Sequence, residues 1–191
     1  RARSADVWLI AGVPTVDPAT NDGVARNSAL VFSPAGEFAA TYNKQKLFAF
    51  AEEHRSYKPG NAPVVVEMDG LRVAPFICYD LRFPELFRAI AVRTDVIVVI
   101  ASWPAARRTH WDALLPARAI ENQCYVVGVN RNGVGGGITY DGGSAVFDPW
   151  GARVKQGKVA GTDHVTWATL SAAEVSRVRE AYPFLSDADR S

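Results

Sequence analysis

A chain of 191 residues that is 48% apolar and 21% charged, with a formal net charge of +1, is long enough to bury a sizeable core and too apolar to remain disordered. It carries no basic stripe suited to nucleic acid or acidic lipid, and no apolar run of bilayer-spanning length. Its two cysteines and three histidines are scattered without metal-ligand spacing, which excludes a disulfide scaffold and argues against structural zinc; a soluble cytoplasmic protein in a reducing compartment is expected.

The opening RARSADVWLIAGVP lacks the long apolar core and small-residue cleavage site of a signal peptide. It starts at Arg1, without an initiator Met, and enters an apolar run at 7–13 almost at once, so a fragment or processed chain is expected. VWLIAGV reads as a strand and DPATNDG as a loop. NSALVFSPAGEFAATY predicts a hairpin turning at Ser33, Pro34, Ala35 and Gly36, and APVVVEMDGLRVAPFIC a second with Asp69 and Gly70 at its tip. Pro84 suits a first helical position, and ELFRAIAVR continues that helix to Thr94. DVIVVIAS is a β-branched run of the kind buried on both faces of a sheet.

In HWDALLPARAIENQ a second helix is expected, kinked or shortened by Pro116, whose ring nitrogen cannot donate. CYVVGVN and SAVFDPWGARV supply further strands, the latter turning at Pro149 to Gly151. The glycine-rich NGVGGGITYDGG between them has no Lys-Ser/Thr pair and no following helix, so it reads as a hairpin loop and not a phosphate cradle. Ser171 and Glu174 form a capping-box pattern ahead of VSRVREAY. Strands mixed with a few helices, with no linker or repeat, argue a single α/β domain over 1–191 with a sheet too apolar to face water.

Chemistry centres on RVAPFICYDLRFPE. Cys78 sits where a buried strand ends, five residues before the helix opened by Pro84, a position from which a thiol can project and backbone N–H groups beginning with Tyr79 can face a developing oxyanion. The opposing reading is a buried, inert thiol, which is the only reading Cys124 supports. None of His54, His110 and His164 is singled out as a base. TYNKQKLFAFAEEHRSYKPGN places Lys44 and Lys46 after a strand and Glu52 and Glu53 before a Pro-Gly loop, which by themselves describe either a solvated strand end or a cationic and an anionic helper for the thiol.

YNKQKLF, EEHRSYKPGN, ICYDLRFPELFR, ASWPAARRTHWDALLPARAIENQCYVVGVNR and GGSAVFDPWG, in this order and spacing, resemble the nitrilase superfamily of carbon-nitrogen hydrolases, and within it the bacterial omega-amidases acting on 2-oxoglutaramate and related dicarboxylic monoamides. The resemblance implies a four-layer αββα sandwich, usually paired as a homodimer through an outer helical layer. It implies Cys78 as nucleophile, Lys44 as catalytic lysine, and Glu53 as the carboxylate that orients it. Lys44 and the Tyr79 N–H become the oxyanion contacts, Arg82 a contact for a substrate carboxylate, and Trp103 a pocket wall. Lys46 becomes a neighbour of the site, and Arg118 and Glu121 a structural pair. No metal or organic cofactor is implied, and the substrate is a small linear amide. The family's general-base glutamate falls ahead of Arg1 with its first strands and helix, so an N-terminally truncated domain is expected, with little activity of its own. A silent member of the family working through oligomerisation, or a nitrilase or carbamoylase branch with another substrate, are the alternatives.

Overall fold

The computed structural model describes residues 1–16, 23–158 and 165–187; the loop expected at DPATNDG falls, but for Gly23, outside them. A short helix α1 (Ala2–Ala5) leads into β1 (Leu9–Val16), β2 (Ala25–Phe32) and β3 (Phe38–Asn43), which form a three-stranded antiparallel sheet in the order β1-β2-β3. The β2–β3 hairpin closes at the expected place. Ser33 N–H donates to Glu37 O at 2.9 Å and Gly36 N–H to Ser33 O at 2.8 Å, with Gly36 at φ +80°.

β4 (Val66–Met68) and β5 (Leu71–Ile77) pair antiparallel. Their tip residues, Asp69 and Gly70, both take positive φ (50° and 80°), the backbone that matches the twist of a two-residue hairpin and that Asp-Gly adopts at least cost. After α2 (Pro84–Arg88), β6 (Val96–Ala101) lies parallel to β5; after α3 (Arg108–Asn122), β7 (Tyr125–Asn130) lies parallel to β6. β8 (Asn132–Gly135) and β9 (Ile138–Asp141) make a separate hairpin, and β10 (Ala145–Phe147) completes a sheet ordered β10-β7-β6-β5-β4. The chain ends in a small ribbon, β11 (Gly157–Lys158) with β12 (Thr166–Trp167), and α4 (Ala172–Ala181).

Strand periodicity sorts the five-stranded sheet into two apolar faces. Ala74, Phe76, Ile97, Val99 and Val126 pack with Phe87 of α2 and Trp111, Leu115 and Ala119 of α3. Val73, Val96, Val98, Tyr125 and Val127 face Ile10, Val31 and Ala40 of the three-stranded sheet. Helical layer, sheet and sheet therefore stack in that order, as the α/β expectation requires, and burial on both faces explains why DVIVVIAS has no polar alternation.

Three local expectations are corrected. The helix at Pro84 stops at Arg88 instead of running to Thr94, and Ala91–Arg93 form only a 3-10 turn. There Thr94 Oγ1 donates to Ile90 O, and Arg179 of α4 donates to Ala91 O and Thr94 O, so these carbonyls are satisfied outside a helix. α3 runs for 15 residues through Pro116, so the helix is not shortened there. The carbonyl that loses its donor is that of Asp112, an exposed residue where water can substitute. The capping box at α4 is not formed, since Ser171 makes no side-chain cap and the Glu174 carboxylate is held by Arg177 at 2.6 and 2.8 Å.

β7 approaches α3 closely at Gly128, where a Cβ would collide with Leu115 and lie 2.8 Å from Trp111. Gly128→Ala is therefore expected to lower stability by about 1–3 kcal/mol through overpacking, read as a lower urea midpoint; an unchanged midpoint would show that the helix can move off the sheet freely.

Candidate active site

Parallel pairing brings the carboxyl ends of β5, β6 and β7 to one edge, and each delivers polar residues there: Cys78 after β5, Ser102 and Trp103 after β6, Asn130 and Arg131 at the end of β7. Cys78 takes φ +47°, a left-handed backbone that is uncommon for a residue with a Cβ and is kept only where neighbours enforce it. It begins a 3-10 turn, Cys78–Arg82, that leads to α2. Its half-buried Sγ lies 3.9 Å from Ser102 O. Asn130 holds the loop opposite: its Oδ1 accepts Trp103 N–H at 2.7 Å while its Nδ2 donates to Trp103 O and Gly142 O at 3.0 and 2.7 Å.

Lys44, immediately after β3, is 3% exposed. Its ammonium lies 2.6 Å from Glu53 Oε2. That carboxylate is held from two further sides, by Phe48 N–H at 2.6 Å and Asn27 Nδ2 at 2.9 Å. Gly60 closes the loop by donating to Lys44 O at 2.8 Å, and a Cβ there would overlap the Asn43 carbonyl, so the Pro-Gly sequence is fixed by close approach. Burial pushes Glu53 toward neutrality, but the bonds from Lys44, Phe48 and Asn27 outweigh it and hold the carboxyl below its ordinary pKa. Burial likewise pushes the Cys78 thiol up, and the Lys44 ammonium only partly offsets it. At rest the site thus pairs a neutral thiol with a fixed cation.

These groups line a cavity of about 810 Å³, walled by Phe48, Tyr79 and Trp103, with Arg82, Arg107 and Arg131 around it. Arg82 Nη2 lies 3.0 Å from His110 Nδ1, and its guanidinium stacks over Trp103 at 4.9 Å. Arg107 covers the Phe48 ring at 5.3 Å, and its carbonyl accepts the Trp103 indole N–H at 2.8 Å. Lys46 points elsewhere, to Glu85 at 3.2 Å and the Phe83 ring. Arg118 donates twice to Leu81 O and pairs with Glu121, tying α3 to the Cys78–Arg82 turn. Cys124 is fully buried, its thiol pushed up to about 12. Cys78, Lys44, Glu53, Tyr79, Arg82 and Trp103 are therefore all brought to one cavity. Reading the sequence alone missed Asn27, Asn130, Arg107 and Asp80; for Asp80 the signal was present, two residues after Cys78 in CYDLR.

The Carbon-nitrogen hydrolase family model matches residues 1–180, and the chain belongs to that family. It is 44% identical to the omega-amidase YafV of Escherichia coli over 85% of this chain and 63% of that protein, and 33% identical to the 2-oxoglutaramate amidase of Bacillus subtilis over 97% of this chain and 70% of that one. The chain thus spans less than two thirds of the length of the E. coli relative. XC1258 of Xanthomonas campestris, a CN-hydrolase superfamily protein with an arsenic adduct in the active site, shares the fold with a TM-score of 0.85 at 33% identity, over 98% of this chain and 71% of that one.

A carboxyl whose pKa is depressed on folding stabilises the fold above its unfolded value, and that stability is lost as pH falls through the folded value. Glu53 is therefore expected to contribute to acid lability below its ordinary range. Glu53→Gln should cost roughly 3 kcal/mol at pH 7, because it strands the Lys44 ammonium, and should flatten the decline toward acid in urea titrations. An unchanged acid limb would contradict this.

Proposed function

We propose that this chain carries the catalytic centre of an amidase, which hydrolyses the carbon–nitrogen bond of a small linear amide through a thioester on Cys78 and releases ammonia in the cytoplasm. The observation that carries this reading is the left-handed Cys78 at the cavity wall, within the field of a Lys44 ammonium that three-way anchoring of Glu53 keeps in place.

The sequence of events follows from these groups. A base removes the thiol proton as Sγ attacks the amide carbon, and opposite charge at Lys44 favours the thiolate. The oxyanion accepts from the Lys44 ammonium and the Tyr79 N–H; one such donor is typically worth about 3 kcal/mol in the transition state. Collapse expels ammonia, protonated by the conjugate acid of the base, and water activated by the same base then cleaves the thioester. Glu53 is poorly suited to be that base, being saturated with donors, and Glu52 is exposed and pairs with Arg55 at 2.9 Å. The resemblance assigns the step to a glutamate of the whole protein outside residues 1–191. No metal or organic cofactor enters the scheme.

The names of the relatives favour the ω-amide of a dicarboxylic acid such as 2-oxoglutaramate, and the Arg82 and Arg107 guanidinium groups at the cavity suit its far carboxylate. We also propose a homodimer through the helical layer, supported by the exposed apolar group of Ile120 on α3 with Trp150, Tyr182 and Phe184, whose rings pack in sequence, the first pair edge to face.

In the whole protein, Cys78→Ala is expected to abolish ammonia release from 2-oxoglutaramate, while the wild type yields an acyl adduct visible by intact mass; residual turnover in the alanine variant would remove Cys78 from the reaction. Arg82→Ala and Arg107→Ala should each raise KM for 2-oxoglutaramate about tenfold or more, the scale of a lost charged hydrogen bond, and leave a simple aliphatic amide unaffected. Equal effects on both substrates would move the carboxylate contact elsewhere. Sedimentation of Trp150→Glu should show monomer where the parent is a dimer.

A further inference from the structure

We propose that Asp80, together with Tyr42, is a positioning residue that sets the spacing between the Cys78 thiol and the Lys44 ammonium; this rests on Cys78 being the nucleophile. Asp80 is fully buried. Its Oδ2 accepts Ile77 N–H at 3.0 Å and the Tyr42 hydroxyl at 2.8 Å, and its Oδ1 accepts Lys46 N–H at 2.8 Å. Ile77 immediately precedes the nucleophile, while Tyr42 and Lys46 flank Lys44 at two residues on either side. One carboxylate thus clamps two segments that come from different sheets, and Ile77 N–H is the backbone group through which the left-handed turn at Cys78 is fixed.

All three partners are donors, so only a group that accepts on both oxygens satisfies them. Burial holds the Tyr42 phenol well above its ordinary value, which keeps it a donor. The charged groups acting on the Cys78 thiol are Lys44, Glu53 and Asp80 itself. Burial raises the Asp80 carboxyl above its ordinary range, and the bonds from Lys46, Ile77 and Tyr42 only partly offset it; any negative charge it carries beside Cys78 disfavours the thiolate. Its charge therefore works against the chemistry, and its geometry is what accounts for its place.

The two roles give opposite signs, which makes them separable by alkylating Cys78 with iodoacetamide from about pH 6 to about pH 10, with the site of modification located by peptide mass. Asp80→Asn presents an NH2 group to one of the donors and breaks the clamp. We expect the alkylation midpoint to rise by about one pH unit, as Lys44 moves away from the thiolate, and kcat of the whole protein to fall at least tenfold with KM little changed. Tyr42→Phe, which keeps the carboxylate and both N–H bonds, should shift the same way by less. A midpoint that falls or stays put in Asp80→Asn would overturn the proposal, since loss of the carboxyl's charge without movement of Lys44 can only lower the midpoint or leave it unchanged. Should Asp80→Asn fail to fold, the Tyr42→Phe profile decides, and superposition on wild type overturns the proposal. Failure of the nucleophile reading is seen separately, as turnover surviving Cys78→Ala.

Discussion

The parallel register of β5, β6 and β7 is the constraint from which the site follows. Ile77 opposite Ile100, and Ala101 opposite Asn130, bring three strand ends to one edge, and the crossovers through α2 and α3 leave that edge open while covering the face beside it. Since both faces of these strands are packed, one against helices and the other against the three-stranded sheet, no side chain within them is free to do chemistry. The first residue past each strand is. Cys78 occupies that position in β5, with its backbone turned to φ +47°.

Electrostatically the site is held in tension. Lys44 is almost fully buried, and an ammonium is retained there because Glu53 meets it at 2.6 Å and is itself satisfied by Phe48 and Asn27. A buried ion pair is weak evidence for stability, because desolvating two charges offsets much of their attraction. Its worth lies in presenting a fixed cation to a cysteine. The thiol nonetheless stays above its ordinary pKa, burial being the larger influence, so the proposed attack would require a proton acceptor as well as the cation. This division separates the work of Glu53, which anchors, from that of a base, which must be free to accept.

Much of this was legible in the chain. The Asp-Gly tip of β4–β5, the unbroken β-branched run of β6 and the cysteine at a strand end each follow from local rules about φ, burial and pleat. Helix ends were less legible, because beyond α2 the carbonyls of Ile90, Ala91 and Thr94 are taken by Thr94 and the distant Arg179, and α3 passes Pro116 because the deprived carbonyl faces water. The supporting polar residues were least so. Asp80 joins positions 42, 46 and 77, Asn130 grips a loop 27 residues earlier, and Asn27 reaches Glu53 across the other sheet. Such partners are set by which strands meet, and a single sequence does not display that pairing.

The central claim, that Lys44 acts on Cys78 and on no other thiol, is tested most directly by comparing the alkylation rates of Cys78 and Cys124 near pH 7.5 in wild type and Lys44→Met. Cys78 is expected to react while Cys124 does not, and loss of the ammonium should slow Cys78 by about tenfold or more. Equal reactivity of the two cysteines, or a Cys78 rate indifferent to Lys44, would contradict the account.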